Sequence, residues 1–387
     1  MGTGLTVKGL QDVRAVAQAH VGDTLVPGLV ALVARGEQVH VEALGTLAAG
    51  GRPVARDSIF RIASTTKPIT AAATLALVEE GLLDLDEPVD RLLPELAERQ
   101  VLARMDGPLG ETTPATRAVT VRDLLTFTFG FGMALEMFTS ATPWPIVQAA
   151  EALHLATIGG PNPDVQPDPD TWIANLGSLP LLAQPGERWL YNTGAQVLGV
   201  LVARAAGEPF GEVLRTRIFE PLGMGDTGFW TDQTPRLATA YRPTRDGLVV
   251  WDQPGGAWSH APVFADGAAG LVSTADDLLA FARMLLRRGG PVLSAGSVRA
   301  MTTDQLTPAQ KAHGGLGPDF FNGRSWAFGQ SVLDHGAYGW DGGLGTSWLV
   351  DPTCDLTVIV LTQRMFETAQ ASAVHRDIQD GAYAALS

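Results

Sequence analysis

The chain has 387 residues, of which 45% are apolar and 18% are charged, values typical of a compact folded protein. It carries 27 basic and 41 acidic residues, a net charge of −14. Because nucleic acids and anionic membranes attract positive surfaces, this charge argues against both as partners. No stretch reaches the roughly 18 uninterrupted apolar residues of a membrane span. Small neutral or cationic molecules remain as ligands.

The cellular compartment is indicated by the cysteine count and by the N-terminus. A single cysteine, Cys354, excludes an intrachain disulfide framework and fits a reducing compartment. The first residues, "MGTGLTVKGLQDVRAVAQAH", lack the continuous apolar segment of a signal peptide. We therefore expect a cytoplasmic protein without a membrane span, and the sequence gives no indication of its oligomeric state.

The first two thirds of the chain change from strand patterns to helical patterns. A helix is predicted over residues 9–20, followed by two short β-rich runs, "GLVALVARG" and "QVHVEALGTL", that form a hairpin. From about residue 65 to 225 apolar residues recur at helical spacing, including one long pattern over 194–219. Two long loops are predicted at 103–119 and 160–170, and loops of this length are often functional.

The last third returns to strands and ends in a helix. Strands are predicted in "RSWAFGQSV", "GTSWLVDP" and "DLTVIVLTQ", and a final helix over about 368–386. Strands at both ends with helices between them predict an α/β protein. Its sheet lobe would comprise residues 1–63 and 226–387, and its inserted, mostly helical lobe residues 64–225.

Lys67 is one of only three lysines among the 27 basic residues, and it follows Ser64 by three positions. A helix is predicted from about Ser64 to Glu80, which places Ser64 and Lys67 on one face. A desolvated lysine can lose its proton and activate a serine, whereas an arginine stays charged. The alternative is a serine N-cap followed by a solvated lysine.

Further segments carry a resemblance to a known family. The stretch "SIFRIASTTKPITAAATLALVEEGLLDLDEPV" resembles the nucleophile helix of the serine β-lactamase and penicillin-binding-protein superfamily, in particular class C β-lactamases and the family VIII-type carboxylesterases similar to them. The resemblance continues in order through "VTVRDLLTFTFGFG", "QPGERWLYNTGAQVLGVLVARAAGEPF", "RIFEPLGMGDTGFW", "GAAGLVSTADDLLAFARMLL" and "YGWDGGLGTSWLVDP". It implies a beta-lactamase-like fold, an antiparallel sheet flanked by helices, with the active site between the two lobes.

The resemblance assigns catalytic roles to three residues. Ser64 takes the position of the nucleophile, Lys67 that of its partner, and Tyr191 that of the Tyr-x-Asn tyrosine. A lysine ammonium lowers the pKa of a nearby phenol, so we expect Tyr191 and Lys67 to share a proton. The alternative for Tyr191 is a buried tyrosine with a satisfied hydroxyl. Thr193 replaces the family's amide-binding asparagine, and we consider it a substrate-binding candidate whose role is in doubt.

The third family motif falls on Trp340, Asp341 and Gly342, which we expect to bind substrate. The family's usual Lys or His there meets a substrate carboxylate, so Trp340 predicts poor β-lactamase activity and resembles the esterase branch, where it offers an apolar wall. The backbone N–H of Gly343 would join that of Ser64 as the oxyanion hole. The alternative for these glycines is a tight turn.

Aromatic residues and histidines give weaker indications. Phe127 and Phe129 replace polar family residues and are candidates for an acyl pocket, with core packing as the alternative. Trp189, Trp230 and Trp258 are candidates for core or site.

No metal or cofactor motif is present in the sequence. The histidines have no metal-binding spacing, His335 is expected to be structural or exposed, and no nucleotide-binding fingerprint occurs. We therefore expect no cofactor and no metal.

Together these patterns predict a serine hydrolase that cleaves carboxylic esters through an acyl-enzyme. A β-lactamase, a D-amino-acid peptidase or an amidase of the same superfamily is the main alternative, and Thr193 and Trp340 argue against it. An acyltransferase and a catalytically silent binding protein are further alternatives. The expected partner is a small-molecule ester or amide.

Overall fold

A seven-stranded antiparallel sheet is built from the two ends of the chain. The computed structural model describes residues 4–158, 160–317 and 319–387; residues 1–3, the start of the predicted sheet lobe, lie outside this description. The strands are β1 (Gly28–Arg35), β2 (Gln38–Gly45), β3 (Phe60–Arg61), β4 (Gln100–Leu102), β5 (Thr112–Pro114), β6 (Ala240–Thr244), β7 (Gly247–Asp252), β8 (Val272–Ser273), β9 (Arg324–Trp326), β10 (Ser331–Leu333), β11 (Tyr338–Gly342), β12 (Thr346–Asp351) and β13 (Leu356–Thr362). The main sheet has the order β2-β1-β13-β12-β11-β10-β9.

Strands β1 and β13 carry apolar residues on both faces because both faces are covered. Along β1, Val30 and Leu32 pack into the main hydrophobic core, whereas Leu29 and Ala31 pack into a second, smaller core. This alternation follows from the two-residue period of a strand. The edge strand β2 is only partly buried. The predicted hairpin is confirmed, with Arg35 paired to Gln38 across the turn.

Helices cover both faces of the sheet and form the middle of the chain. They are α1 (Val7–Ala19), α2 (Thr66–Glu79), α3 (Val121–Leu125), α4 (Leu135–Thr139), α5 (Pro145–Ala152), α6 (Pro169–Ser178), α7 (Thr193–Ala206), α8 (Phe210–Leu214), α9 (Glu220–Leu222), α10 (Ala275–Leu286), α11 (Ala295–Met301), α12 (Pro308–Ala312) and α13 (Ala373–Ala384). The terminal helices α1 and α13 pack together over the second core. The division into a sheet lobe and a helical lobe stays a prediction.

Helix α2 lies at the centre of the main core and carries the predicted catalytic pair. Every residue from Thr66 to Leu77 is buried, which is unusual for a helix and means that it is packed on all sides. Helix α7 packs against it. Within the described ranges, no helix combines the length and hydropathy that crossing a bilayer requires.

Four predicted elements differ from the observed ones. The helical pattern over 194–219 is broken at Gly207, whose φ of +68° ends α7 in a left-handed residue. Residues 112–114, predicted as loop, form β5 and pair with β4. The single strand predicted over 324–332 is a hairpin of β9 and β10. The final helix is shorter than predicted and begins at Ala373.

Candidate active site

Ser64 lies on a short 3₁₀ turn, Ala63–Thr65, that leads directly into α2. Its side chain makes no N-cap hydrogen bond to the helix, so the capping alternative considered for this serine is wrong. The preceding residue, Ala63, has a φ of +43°, a left-handed conformation that is costly for a residue with a Cβ. This turn therefore holds the hydroxyl in place with some backbone strain.

Lys67 is the closest basic group to that hydroxyl. Its Nζ lies 2.9 Å from Ser64 Oγ and donates a hydrogen bond of 2.8 Å to the carbonyl oxygen of Ala268. The side chain is 1% exposed. Burial lowers the pKa of the Lys67 ammonium to about 7, although the negative charge of Asp266 opposes this shift. A substantial fraction of the amine is thus neutral near pH 7 and able to accept a proton.

Tyr191 lies next to this lysine, as the sequence predicts. Lys67 Nζ lies 4.5 Å from the centroid of the phenol ring, and the phenol oxygen accepts a hydrogen bond of 2.7 Å from the indole Nε1 of Trp340. Burial raises the pKa of the Tyr191 phenol, and the hydrogen bonds with Ser64 and Trp340 only partly offset this. The prediction of a lowered pKa is therefore wrong, because burial disfavours the phenolate more strongly than its neighbours stabilise it.

The backbone around Tyr191 is strained and firmly held. Asn192 has φ +83° and ψ −64°, and Thr193 N–H donates to Tyr191 C=O at 3.2 Å, which together define a rare γ-turn. Two backbone hydrogen bonds, of 2.8 and 2.9 Å, join Tyr191 to Met133. Such conformations persist where the surroundings fix them, and they often accompany functional residues.

Thr193 does not offer substrate an accessible group. It begins α7, is fully buried, and its Oγ1 has no hydrogen-bond partner among the described residues. The buried position does not favour the substrate-binding role considered for it, which stays a prediction. Asn192 is also turned inward, where its amide donates to Thr157 C=O at 3.3 Å.

Strand β11 brings the third predicted motif against the nucleophile turn. A Cβ on Gly342 would lie 2.2 Å from the carbonyl oxygen of Ile62 and 2.2 Å from Thr346 Oγ1, so only glycine fits there. Thr346 Oγ1 itself donates to Ile62 C=O at 2.9 Å. The strand and the turn that carries Ser64 are thus in direct contact.

Two backbone N–H groups near this contact are free. Within the described residues, neither Ser64 N–H nor Gly343 N–H donates to another backbone group. The Gly343 carbonyl accepts from Phe366 N–H at 2.9 Å, which fixes the orientation of this loop. These are the two donors that the sequence predicts for an oxyanion hole.

Asp341 points away from its neighbours in the motif. Successive side chains of a strand lie on opposite faces, so Asp341 shares neither the face of Trp340 nor that of Gly342. It pairs across the sheet with Ser347, and its charge acts on His375 of α13, on the far face. This position does not favour the predicted contact of Asp341 with substrate, which stays a prediction, and its charge contributes to the raised pKa of Tyr191.

A cluster of aromatic side chains surrounds the phenol and the indole of this site. We call it the aromatic cluster; its members are Phe127, Trp189, Tyr191, Phe320, Phe321, Trp326 and Trp340. Trp326 meets Trp340 edge-on with ring centroids 4.7 Å apart, and Trp189 stacks on Tyr191 at 5.5 Å. The cluster therefore fixes both hydrogen-bonding side chains.

The remaining aromatic candidates are buried in the protein, with the exception of Trp230. Phe127 is fully buried and packs edge-on against Tyr191 at 5.9 Å, so it supports the phenol rather than lining a pocket. Phe129 is fully buried in the main core, and the lining role considered for it is wrong. Trp258 is buried and donates to Gly270 C=O, whereas Trp230 is 44% exposed.

Sequence reasoning missed several residues of the site. Trp326, Phe320 and Phe321 join it from "GRSWAF" and "PDFFNG", which carry no family motif and are distant from Tyr191 in the chain. The carboxylate of Asp266 also went unnoticed. The sequence signal that could have identified the three aromatic residues is their close spacing within residues 320–326.

The histidines and possible metal ligands were the other candidates for a reactive centre. His335 is exposed, with its Nε2 3.8 Å from Asp351. Among the described residues, no group of three or more His, Cys, Asp or Glu side chains is arranged to hold a metal ion.

The chain is similar to several known proteins. The family model for beta-lactamases matches residues 13–383. Protein Rv1367c of Mycobacterium tuberculosis is 40% identical over 332 residues, 81% of this chain and 79% of that protein. Esterase EstB of Burkholderia gladioli is 33% identical over 370 residues, 88% of this chain and 86% of that protein.

Among solved structures, that of EstCE1, a hydrolase with promiscuous acyltransferase activity, superposes with a TM-score of 0.81 at 26% identity. The match covers 97% of this chain and 99% of EstCE1, which confirms the predicted beta-lactamase-like fold. The matched family model spans nearly the whole chain, and esterase EstB is 33% identical to it over most of its length. The chain therefore belongs to the beta-lactamase family of serine hydrolases.

Proposed function

We propose that this protein is a carboxylesterase that forms an acyl-enzyme on Ser64. The observation that carries the proposal is the buried amine of Lys67, 2.9 Å from Ser64 Oγ, whose pKa burial lowers to about 7. A serine hydroxyl needs a base to become a nucleophile, and a buried lysine that is partly neutral at physiological pH meets that need.

In the acylation step, Ser64 Oγ attacks the ester carbonyl carbon while neutral Lys67 takes its proton. The negative charge that forms on the carbonyl oxygen is stabilised by the N–H groups of Ser64 and Gly343, each contributing about 3 kcal/mol. The intermediate then expels the alkoxide, which receives a proton and leaves as an alcohol. Tyr191 is protonated because its pKa is raised, so it can pass this proton on and be reprotonated by the Lys67 ammonium.

In the deacylation step, a water molecule attacks the acyl-enzyme carbonyl. The Lys67 amine, through Tyr191, accepts the proton of the water, and the carbon–oxygen bond to Ser64 breaks. Ser64 Oγ regains a proton and the carboxylic acid leaves. The site thus returns to its starting protonation state, with one water consumed for each ester cleaved.

The preference for esters over β-lactams rests on Trp340. The resemblance places a cationic residue at this position in the lactamases, where it meets a substrate carboxylate, and an indole offers no such charge. Instead, the indole N–H is used by Tyr191. The similarity to esterase EstB supports the same choice.

Acyl transfer is a second candidate, favoured by the structural similarity to EstCE1 with its promiscuous acyltransferase activity. Both reactions share the acyl-enzyme and differ only in whether water or an alcohol attacks it. Product analysis after incubation with a vinyl ester and an added alcohol distinguishes them, because transfer yields a new ester and hydrolysis yields only the acid.

A labelling experiment tests the proposal directly. A fluorophosphonate should add one covalent group to the wild type, and mass spectrometry of peptides should place it on Ser64. Ser64→Ala is the matched control and should remain unlabelled. A panel of p-nitrophenyl esters of increasing chain length, run beside nitrocefin, then ranks the substrates. Labelling elsewhere in the chain, or rapid nitrocefin turnover with negligible ester turnover, would overturn the assignment.

A further inference from the structure

A buried carboxylate near Lys67 has no part in the mechanism described so far. Asp266 is 4% exposed and lies in the loop that precedes β8, in the segment that also supplies the carbonyl of Ala268. Charged side chains are rarely buried to this degree without a charged partner, because loss of hydration is costly. The carboxylate therefore requires an explanation.

Its hydrogen bonds come from neutral donors. Asp266 Oδ1 accepts from Ala268 N–H at 2.7 Å, and Oδ2 accepts from the side-chain amides of Gln196 at 2.9 Å and Gln166 at 3.3 Å. In the described part of the chain no cationic side chain lies within ion-pair distance of it. The amides satisfy the lone pairs and fix the carboxylate, yet they leave its charge uncompensated.

The charge acts on Lys67, and a single residue connects the two groups. Ala268 donates its N–H to Asp266 and accepts from Lys67 Nζ through its C=O, at 2.7 and 2.8 Å. The carboxylate thus orders the backbone that orients the amine. Its negative charge also raises the pKa of Lys67, against the larger lowering by burial.

We propose that Asp266 is a positioning residue for Lys67, holding the Ala268 carbonyl in place and stabilising the ammonium that forms when Lys67 takes the proton of Ser64. The inference rests on the proposed function, since it gives Lys67 the role of base. Gln196 and Gln166 are the supports that keep the carboxylate in place and oriented.

The effect of Asp266 on the Lys67 ammonium can be measured apart from the effects of other titratable groups. Besides Asp266, a titratable group that contacts the amine within the described ranges is the phenol of Tyr191, which is neutral because its pKa is raised. The charge of Asp341 acts on Tyr191. Replacing Asp266 by asparagine therefore removes the carboxylate whose charge, among the described residues, stabilises the ammonium, and it keeps nearly the same shape.

The lysine count makes the test direct. Only Lys8, Lys67 and Lys311 occur in the chain, so labelling with ¹³Cε-lysine gives three signals, and the Lys67 signal is assigned by its loss in Lys67→Met. In Asp266→Asn we expect the pKa of Lys67 to fall by about one unit and kcat/KM on its alkaline plateau to fall about tenfold. The acid limb of the pH profile should move to lower pH with it.

Two further variants serve as controls. Asp266→Glu keeps the charge and should restore the Lys67 titration toward its wild-type midpoint. Asp277→Asn removes another buried carboxylate, which lies on α10 and accepts hydrogen bonds from Thr227 Oγ1 and Asp226 N–H. This variant should leave the Lys67 titration unchanged.

Each outcome decides the inference separately from the proposed function. An unchanged Lys67 titration in folded Asp266→Asn overturns it, whether or not the enzyme cleaves esters. A shifted titration in a protein without ester activity supports it while removing the proposed function. If Asp266→Asn does not fold, Asp266→Ser takes its place, and failure of both neutral variants to fold assigns Asp266 to the fold and overturns the inference.

Discussion

The indole Nε1 of Trp340 donates a 2.7 Å hydrogen bond to the phenol oxygen of Tyr191. The two side chains come from different parts of the chain, β11 and the segment before α7. The bond leaves the phenol proton free to point elsewhere, toward Ser64, and it lowers the pKa of a phenol that burial raises. Trp340 is therefore a hydrogen-bonding partner of the proposed acid, and not only an apolar wall.

Replacing Trp340 by phenylalanine tests this role. The variant loses the donor to Tyr191 and keeps most of the ring, so we expect kcat to fall about tenfold, the equivalent of one hydrogen bond, with KM nearly unchanged. Steady-state kinetics on a p-nitrophenyl ester measures both constants. Trp326→Phe is the matched control, because Trp326 Nε1 is buried and has no hydrogen-bond partner in the part of the chain that the structure describes. Equal losses in the two variants would show that packing, and not the hydrogen bond, is responsible.

The pH dependence of kcat/KM should reflect the free amine of Lys67. Because the base acts in its neutral form and burial lowers its pKa to about 7, activity should rise with pH through about 7 and then level off. Stopped-flow or plate assays from pH 5 to 9.5 measure the profile. Lys67→Arg, which cannot lose its proton, should lower kcat/KM at least 1,000-fold across this range. An arginine variant with wild-type kinetics would remove lysine from the chemistry.

The same lysine should make stability depend on pH. Its pKa is about 7 when folded and near the ordinary lysine value of 10.5 when unfolded, so the unfolded chain binds more protons between these values. Stability from this group therefore rises with pH from about 7 to 10.5. Below pH 7 the buried ammonium destabilises the fold by on the order of 5 kcal/mol, which is the free energy of lowering this pKa from 10.5 to about 7.

Lys67→Met removes that ionisation and keeps a side chain of similar length. We expect its melting temperature to exceed that of the wild type at pH 6 and the difference to narrow by pH 10. Differential scanning fluorimetry at several pH values gives the comparison. A gap that stays constant over this range would mean that Lys67 is not desolvated in the folded protein.

The contact between β11 and the nucleophile turn predicts unequal tolerance at two adjacent glycines. A Cβ at Gly342 would lie 2.2 Å from Ile62 C=O, whereas at Gly343 nothing lies within 4 Å. Gly342→Ala should therefore lower the free energy of unfolding by about 2 kcal/mol and reduce kcat by displacing the strand. Gly343→Ala keeps its N–H and should behave like the wild type. Urea unfolding and kinetics on both variants decide the matter, and equal tolerance contradicts the proposed contact.

Thr193→Val tests whether this position binds substrate. The Thr193 hydroxyl is fully buried and finds no hydrogen-bond partner within the described ranges, so its loss should leave kinetics unchanged and stabilise the fold by up to about 1 kcal/mol. Chemical denaturation and the ester panel provide the readouts. A tenfold or greater loss of kcat/KM would support the substrate-binding role predicted from the sequence.

Local patterns predicted the elements that depend on neighbouring residues. The β1–β2 hairpin follows from two apolar runs separated by a short turn, and the helix after Ser64 follows from its apolar spacing. Elements whose ends depend on packing were predicted less well. The break at Gly207 and the hairpin of β9 and β10 required backbone conformations that apolar spacing does not encode.

By itself, the sequence determined which residue types could perform the chemistry and the order of the motifs: Ser64, Lys67 and Tyr191 share one site, and a lysine stands where arginine could not serve. Only the tertiary structure decided their protonation and their partners. Burial raises the pKa of the Tyr191 phenol, and Trp340 donates a hydrogen bond to it. Asp266 is about 200 residues from Lys67 in the chain, yet it lies beside Ala268, whose carbonyl oxygen accepts a hydrogen bond from Lys67 Nζ. Desolvation and charge act through space, and a linear sequence does not state which groups are near one another.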